Sequence, residues 1–332
     1  MGKYTAIGGQ ALIEGIMMKS PEKTAIAVRT QSGEIDITHV GQKSLKDKYK
    51  FFSLPVIRGI VTYIESMKEG YKAMMISVDK SGFAEEEGEK EDKKSDSKLI
   101  AAVTAIGSVL GFALALVLFI YLPRLIEGGI ERLAGVSFGA VVRSFIEQMI
   151  KLAVFVGYIA AVSLSKDIKR VFMYHGAEHK TIFCYEKGLE MTVENVKAQR
   201  RFHPRCGTSF LILMILVSML FSILVQLICG LFGLAVYSIK WLWVLIKILL
   251  IPLICGAGYE ILRACGKYDN VFTKIVSAPG LWLQRLTTKE PDDSMIEVAI
   301  AALRACEPER PDVDRSVDKT EKKDTEDEQN DI

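Results

Sequence analysis

Three of the four histidines in the chain fall in two short stretches, VFMYHGAEHKTIFCYE (171–186) and RRFHPRCGTSF (200–210). His175, Glu178 and His179 are spaced i, i+3, i+4, which on a helix puts two imidazoles and a carboxylate on one face. Imidazoles one turn apart can share a tetrahedral metal, and H-x-x-E-H is the inverted zincin order. Three fixed positions in five are a weak pattern alone. The second stretch is more specific: His203-Pro204-Arg205-Cys206-Gly207 has the ligand-Pro-x-Cys-Gly form of a zinc knuckle, with imidazole replacing the first thiolate. Pro204 biases His203 toward extended backbone, and Gly207 permits the turn that aims amides at the sulfur. Arg201 and Arg205 favour the thiolate that binds metal. A lone histidine is more often a satisfied polar side chain than a ligand, but three beside a cysteine in knuckle spacing favour a metal site. The expected ligands are His175, His179, His203 and Cys206, around zinc or another divalent transition metal.

Two chemistries fit that set. In a hydrolase, His175, His179 and His203 (or Cys206) hold the metal, an open position admits water, and Glu178 is the catalytic proton acceptor. In a structural site all four ligands bind, nothing is left for chemistry, and the protein is a scaffold or binds a partner through its N-terminal domain. The carboxylate on the helix face favours the first reading slightly. A transport reading would draw on Arg143, Glu147, Lys151 and Lys247, but one charged ladder is thin support for a pathway.

These groups need elements to carry them. The chain has 332 residues, is 50% hydrophobic and carries a net charge of +2, so the overall charge gives no footprint for nucleic acid. The apolar residues collect in charge-free runs of membrane-span length, about 20 residues for roughly 30 Å of hydrocarbon. The runs are Leu99–Leu122, stopped at Pro123; a weaker one in which Arg143, Glu147 and Lys151 precede Leu152–Leu164; Thr208–Ile239, with a break at CGLFG (229–233); and Trp241–Leu262. Arg143, Glu147 and Lys151 at i, i+4, i+8 are expected to pair along one face turned toward protein. Ser165–Gly207 carries nine Lys or Arg, against three in the loop after the first span. The positive-inside rule then makes that loop cytosolic, and four spans put both termini there too. Met1–Thr5 lacks the basic start and apolar core of a cleaved leader, so none is expected. The six cysteines show no secreted-framework spacing and fit a reducing compartment.

The fold expected is mainly α: a polytopic helical membrane protein of about four transmembrane helices with a small α+β N-terminal domain. Residues 1–79 form that cytosolic domain, 80–98 a charged linker, 99–264 the membrane region with the site loop 165–207, 265–306 a C-terminal segment, and 307–332 a disordered tail. Lys23–Val40 alternates around QSGE as a β-hairpin. Pro55–Ser77 carries an apolar stripe (Val56, Ile57, Ile60, Val61, Ile64, Met67, Tyr71, Met74, Met75) that reads as an amphipathic helix with Pro55 in its first turn. Packing on a neighbouring domain is set slightly ahead of docking on lipid for that stripe. Asp292–Ala305 is a short capped helix. His39 reads as strand surface. GGQ at Gly8–Gln10 shares its letters with the release-factor tripeptide, lacks a basic surround, and is set aside. Glu14 is expected to be buried and paired with Arg29 or Arg58, with a place in the metal shell as the alternative. Glu260 is either a neighbour of the site or bound to Arg263 or a loop lysine.

GGQALIEGIMMKSPEKTAIAVR, HGAEHKTIFCYE, HPRCGTSF, GYEILR and APGLWLQRLTTKEPDDSMIEVAIAAL together resemble the YqhQ-like family of bacterial membrane proteins, domain of unknown function 1385, described as predicted metal-dependent enzymes. The resemblance runs from about Gly8 to about Ala305. It implies a multi-pass bacterial inner-membrane protein whose suspected metal site is His175, Glu178, His179, His203 and Cys206, with Glu14 and Glu260 as weaker members. Where the family pattern has arginine after the two methionines, this chain has Lys19, which weakens any bidentate anion role there. The substrate is left open; a lipid or membrane peptide fits the location, and Arg205 would stand in the second shell.

Overall fold

The computed structural model describes residues 7–41, 45, 49–83, 96–204, 206–234, 239–268 and 270–307. Strands β1 (Gly8–Leu12), β2 (Gly15–Lys19), β3 (Thr24–Arg29) and β4 (Ile35–Val40) form an antiparallel meander in that order. The hairpin expected over Lys23–Val40 is β3–β4, turned at Gly33 with φ 86°. β2 had no alternating signal because it is buried on both faces, and β1, GGQAL, is half exposed and opens on two glycines that carry no pattern. Ile16, Met18, Ala25 and Ala27 sit in one core cluster, while Leu12, Met17, Ile26 and Val28 sit in another across the sheet. A strand buried on both faces reads as a continuous apolar run.

The first cover is helix α1 (Ile57–Ser81). Pro55 does not lie in its first turn; Val56 is the capping residue, at φ 67°. Nor does the apolar stripe point inward throughout. Gly70, Ala73 and Ser77 face the sheet, with Gly70 against the Gln10 amide and the Ser77 hydroxyl donating to the Ile13 carbonyl. Small residues let helix and strand approach closely, so the sheet takes them, and Ile64, Met67, Tyr71 and Met75 remain exposed. The helix ends at Gly82 in the left-handed region. Of the linker expected over 80–98, residues 84–95 lie outside the described residues, as does the tail from 308 onward.

Helix α2 (Asp96–Leu116) continues through a π turn (Val117–Tyr121) into α3 (Leu122–Ala134). Pro123 does not stop the first span. It occupies the first turn of α3, where a missing N–H is tolerated, and the π turn immediately before it absorbs the change in pitch. Next come α4 (Ala140–Val162), α5 (Lys166–Glu186), α6 (Val193–Lys197), α7 (Gly207–Leu231), α8 (Lys240–Lys267), α9 (Val271–Thr287) and α10 (Asp293–Cys306). Among the described residues, four helical stretches are long and apolar enough to cross a membrane: Ile106–Ala134, Val141–Val162, Gly207–Leu231 and Leu242–Cys265. α7 ends within CGLFG, with Gly233 at φ 68°. α10 begins one residue after Asp292, whose side chain accepts from the Met295 N–H.

The charges of the second span face protein, but they pair between helices rather than along one. Arg143 meets Glu127 and Glu131 of α3, and Glu147 meets Lys247 of α8. Serine and glutamine follow the same course: Gln226 bonds Ser144, and Ser218 bonds Gln148.

The extramembrane elements gather at the end of the bundle where α4 leads into α5 and α7 begins. α5 and α10 cover the second face of the sheet. α1 docks on α8, with Gly59 so close to Gly256 that an added Cβ would come within 2.9 Å of its backbone. Arg58 holds Glu260 at 2.6 Å beside that contact.

Candidate metal centre

One helix, one loop and one helix start build the site. α5 presents His175 and His179 a turn apart, their rings edge to face at 4.4 Å. Residue 206 is the N-cap of α7, and the Cys206 sulfur accepts from the Thr208 N–H. That position is the positive end of the helix dipole, where an anionic ligand is favoured. His175, His179 and Cys206 each offer one ligand atom, and these lie within 4.8 Å of one another.

The second shell fixes the tautomers. His175 Nδ1 lies 2.8 Å from the Thr287 carbonyl, and His179 Nδ1 lies 2.5 Å from the Arg201 carbonyl. A carbonyl can only accept, so each Nδ1 carries the proton and each neutral Nε2 turns a lone pair inward. His175 Nε2 is 3.1 Å from the Cys206 sulfur and can accept a thiol proton. His179 Nε2 is buried with no hydrogen-bond partner. Burial holds the His179 pKa below its ordinary value, against the opposing pull of Cys206. A buried ring nitrogen with an unused lone pair beside a sulfur is a costly arrangement that a cation at that point relieves. The residues therefore fit a divalent metal.

His203 is adjacent but outside this group of three. Its backbone is clamped by Gln284 of α9, which accepts from the His203 N–H at 2.7 Å and donates to its carbonyl at 2.8 Å. Its ring lies 4.7 Å from that of Phe183 and 5.6 Å from that of His179, and its Nε2 is 3.8 Å from Glu186. With its backbone held by Gln284, His203 places its ring in this stack.

Glu178 shares the helix face with the two histidines yet reaches to the side, against β1. Its Cγ and Cδ pack so closely on Gly9 that a Cβ there would come within 2.9 Å, and the Gly9 N–H donates to its carboxylate. Burial raises its pKa, opposed by His175 and the Gly9 amide. The GGQ tripeptide thus has a local role: Gly9 makes room for Glu178, and Gln10 lies against Gly70 of α1.

Glu14 and Glu260 belong to structural pairs. Glu14, at φ 50° in the β1–β2 bend, is held by Arg170, with a second contact of 2.6 Å, and by the Tyr174 hydroxyl at 3.1 Å. The pairing expected with Arg29 or Arg58 is replaced because α5 brings Arg170 across the bend; Arg29 touches residue 14 only through its backbone. Glu260 takes Arg58, not Arg263 or a loop lysine, because α1 crosses α8 there. Arg205 lies outside the described residues. Glu186 and Gln284 were not singled out from the sequence. Glu186 follows His179 by seven residues, two turns along the same helix face, so a longer helical window would have included it. Gln284 had no such signal.

The chain matches the family described as "Protein of unknown function (DUF1385)" over residues 54–309. It belongs to that family. It is also 36% identical over 299 residues to the "Uncharacterized protein YqhQ" of Bacillus subtilis (strain 168), covering 89% of this chain and 90% of that protein. No solved structure matches the chain.

Proposed function

We propose that this is a membrane-embedded metalloenzyme, with His175, His179 and Cys206 holding zinc or a similar divalent transition metal at the cytosolic membrane surface, where it hydrolyses a lipid or membrane-peptide substrate. The observation that carries the reading is the orphaned His179 Nε2 beside the Cys206 sulfur and His175 Nε2. Three protein ligands are the number that catalytic zinc sites use, one fewer than structural sites. When bound, the metal supplies Lewis acidity toward a carbonyl or phosphoryl oxygen. Thr287 and Arg201 orient the two imidazoles through their carbonyls. Glu178, its proton affinity raised by burial, is placed beside His175 to hold or release a proton. His203 and Glu186 form a second pair on the far side of His179.

A structural site is favoured by one observation, the near-complete burial of His179, Cys206 and His203. That reading makes the protein a scaffold whose metal staples the 200–206 loop to α7. Metal stoichiometry of detergent-purified protein tests the shared claim, with one ion per chain expected in wild type and none in His179→Ala. Glu178→Gln then separates the readings. An enzyme keeps its metal and loses activity in cells, whereas a scaffold is indifferent. If Glu178→Gln behaves as wild type while Cys206→Ser unfolds the chain, the catalytic reading is wrong.

A further inference from the structure

A cleft of about 480 Å³ lies on the outer side of the site, lined by Arg200, Phe202, Pro204, Ala278, Leu281, Trp282 and Arg285. Segment 200–204 forms one wall and α9 the other. The inner sides of the same two walls carry His203 and Gln284. Among the described residues neither Arg200 nor Arg285 has an ion-pair partner, and both are exposed. Arg200 stands over the Phe183 ring at 5.0 Å, which leaves its outer donors free. Two guanidiniums without ion-pair partners among the described residues, on the two walls of a cleft also lined by Phe202 and Trp282, make a receptor for an anion attached to something apolar.

The position of α9 says what the apolar part is. Val276 packs against the cluster that Leu213 and Val217 of α7 form with Ile254 of α8; Gly280 abuts Ser209 in the first turn of α7; and Gln284 reaches His203 beyond the helix start. α9 therefore rises from span depth to the bundle end. Its outward side presents Phe272, Lys274 and Ile275 in its first turns, then Trp282 and Arg285, all exposed. Exposed apolar side chains, a lysine whose stem can lie along them, and then tryptophan and arginine suit a surface that meets hydrocarbon, interface and phosphate.

We infer that this cleft is a binding site for an anionic phospholipid, its phosphate held between Arg200 and Arg285 and its acyl chains laid along Phe272 and Ile275. The site stands whether or not the neighbouring centre holds a metal. It presents a lipid phosphate next to the ring stack Phe183–His203–His179.

Delipidated full-length protein in detergent tests this by native mass spectrometry and thermal denaturation, with phosphatidylglycerol, phosphatidylcholine, glycerol phosphate and inorganic phosphate as separate additions. One phosphatidylglycerol per chain is expected to be retained and to raise the denaturation midpoint. Arg200→Gln with Arg285→Gln lowers that affinity by on the order of tenfold per guanidinium removed. Arg285→Lys, which keeps the charge without the fork, falls between. Equal retention by the double variant overturns the proposal, as does equal retention of phosphatidylcholine. Stabilisation by glycerol phosphate or inorganic phosphate at the same concentrations overturns it in favour of a soluble phosphate ligand. Metal content measured on the same preparations is expected to be unchanged, so a failed lipid site is distinguishable from a failed metal centre.

Discussion

Two polar clusters are buried in this molecule, and they are built on opposite logic. Between the spans, Arg143 lies between Glu127 and Glu131, and Lys247 lies on Glu147, so opposite charges meet in pairs. At the bundle end, His175, His179 and Cys206 converge without any ion pair: His175 Nε2 meets the Cys206 sulfur, and His179 Nε2 turns its lone pair inward beside them. The first cluster joins its charges in cross-helix pairs, although one oxygen each of Glu127, Glu147 and Gln226 is buried without a hydrogen-bond partner, and it fits a device that holds α3, α4 and α8 in register. The second leaves one buried ring nitrogen unmet among three side chains that could hold a metal ion. An apolar span can afford a charge when its partner is fixed nearby, whereas a site advertises itself by what is left unmet.

Substitutions can break this contrast. The largest effect is expected from Cys206→Ser or His179→Ala, which should abolish stoichiometric metal binding measured by elemental analysis, while any single change in the intramembrane set leaves metal content at the wild-type level. Next, Lys247→Met strands Glu147, which is 1% exposed, and should destabilise the detergent-solubilised protein by about 3–5 kcal/mol. Adding Glu147→Leu should restore most of that, because the pair can be replaced together; a double variant as unstable as the single would show that the pair does more than staple helices. Third, Gly176→Ala places a methyl group on the Lys289 carbonyl, against which Gly176 packs, and so disturbs the segment that supplies Thr287 to His175. Metal affinity should fall about 10–100-fold in a competition titration, with the spans unaffected. The smallest is Glu14→Gln. It loosens a partly exposed contact to Arg170 and should cost about 1 kcal/mol in thermal denaturation without changing metal stoichiometry.

The sequence made some of this plain and hid the rest for physical reasons. His175, His179 and Cys206 were legible because helical spacing and a knuckle-like turn are local signals. His203 shared the second signal but not the outcome, since Gln284, 81 residues away, fixes its backbone and turns its ring toward Phe183. Charge-free length disclosed the four spans, yet not the partners of Arg143 and Glu147, because i, i+4 spacing says nothing of a cation or carboxylate on another helix. Strand β2 was missed because burial on both faces erases alternation, and β1 because GGQAL is too short and glycine-rich to show any. In α1 the apolar stripe showed the helix and part of its packing, since Met74 lies on the sheet cluster, but Gly70 and Ser77, which also meet the sheet, are not marked by hydrophobicity.

The two imidazoles take their orientation from opposite ends of the chain's timetable. Arg201, which fixes His179, follows it by 22 residues, but Thr287, which fixes His175, comes 112 residues later, after two further spans. A nascent polypeptide therefore cannot finish this pocket when its sulfur emerges. The pocket becomes complete only once α9 has been laid down, so a chain truncated ahead of Thr287 would keep all three donor side chains and still lack the brace that aims one of them.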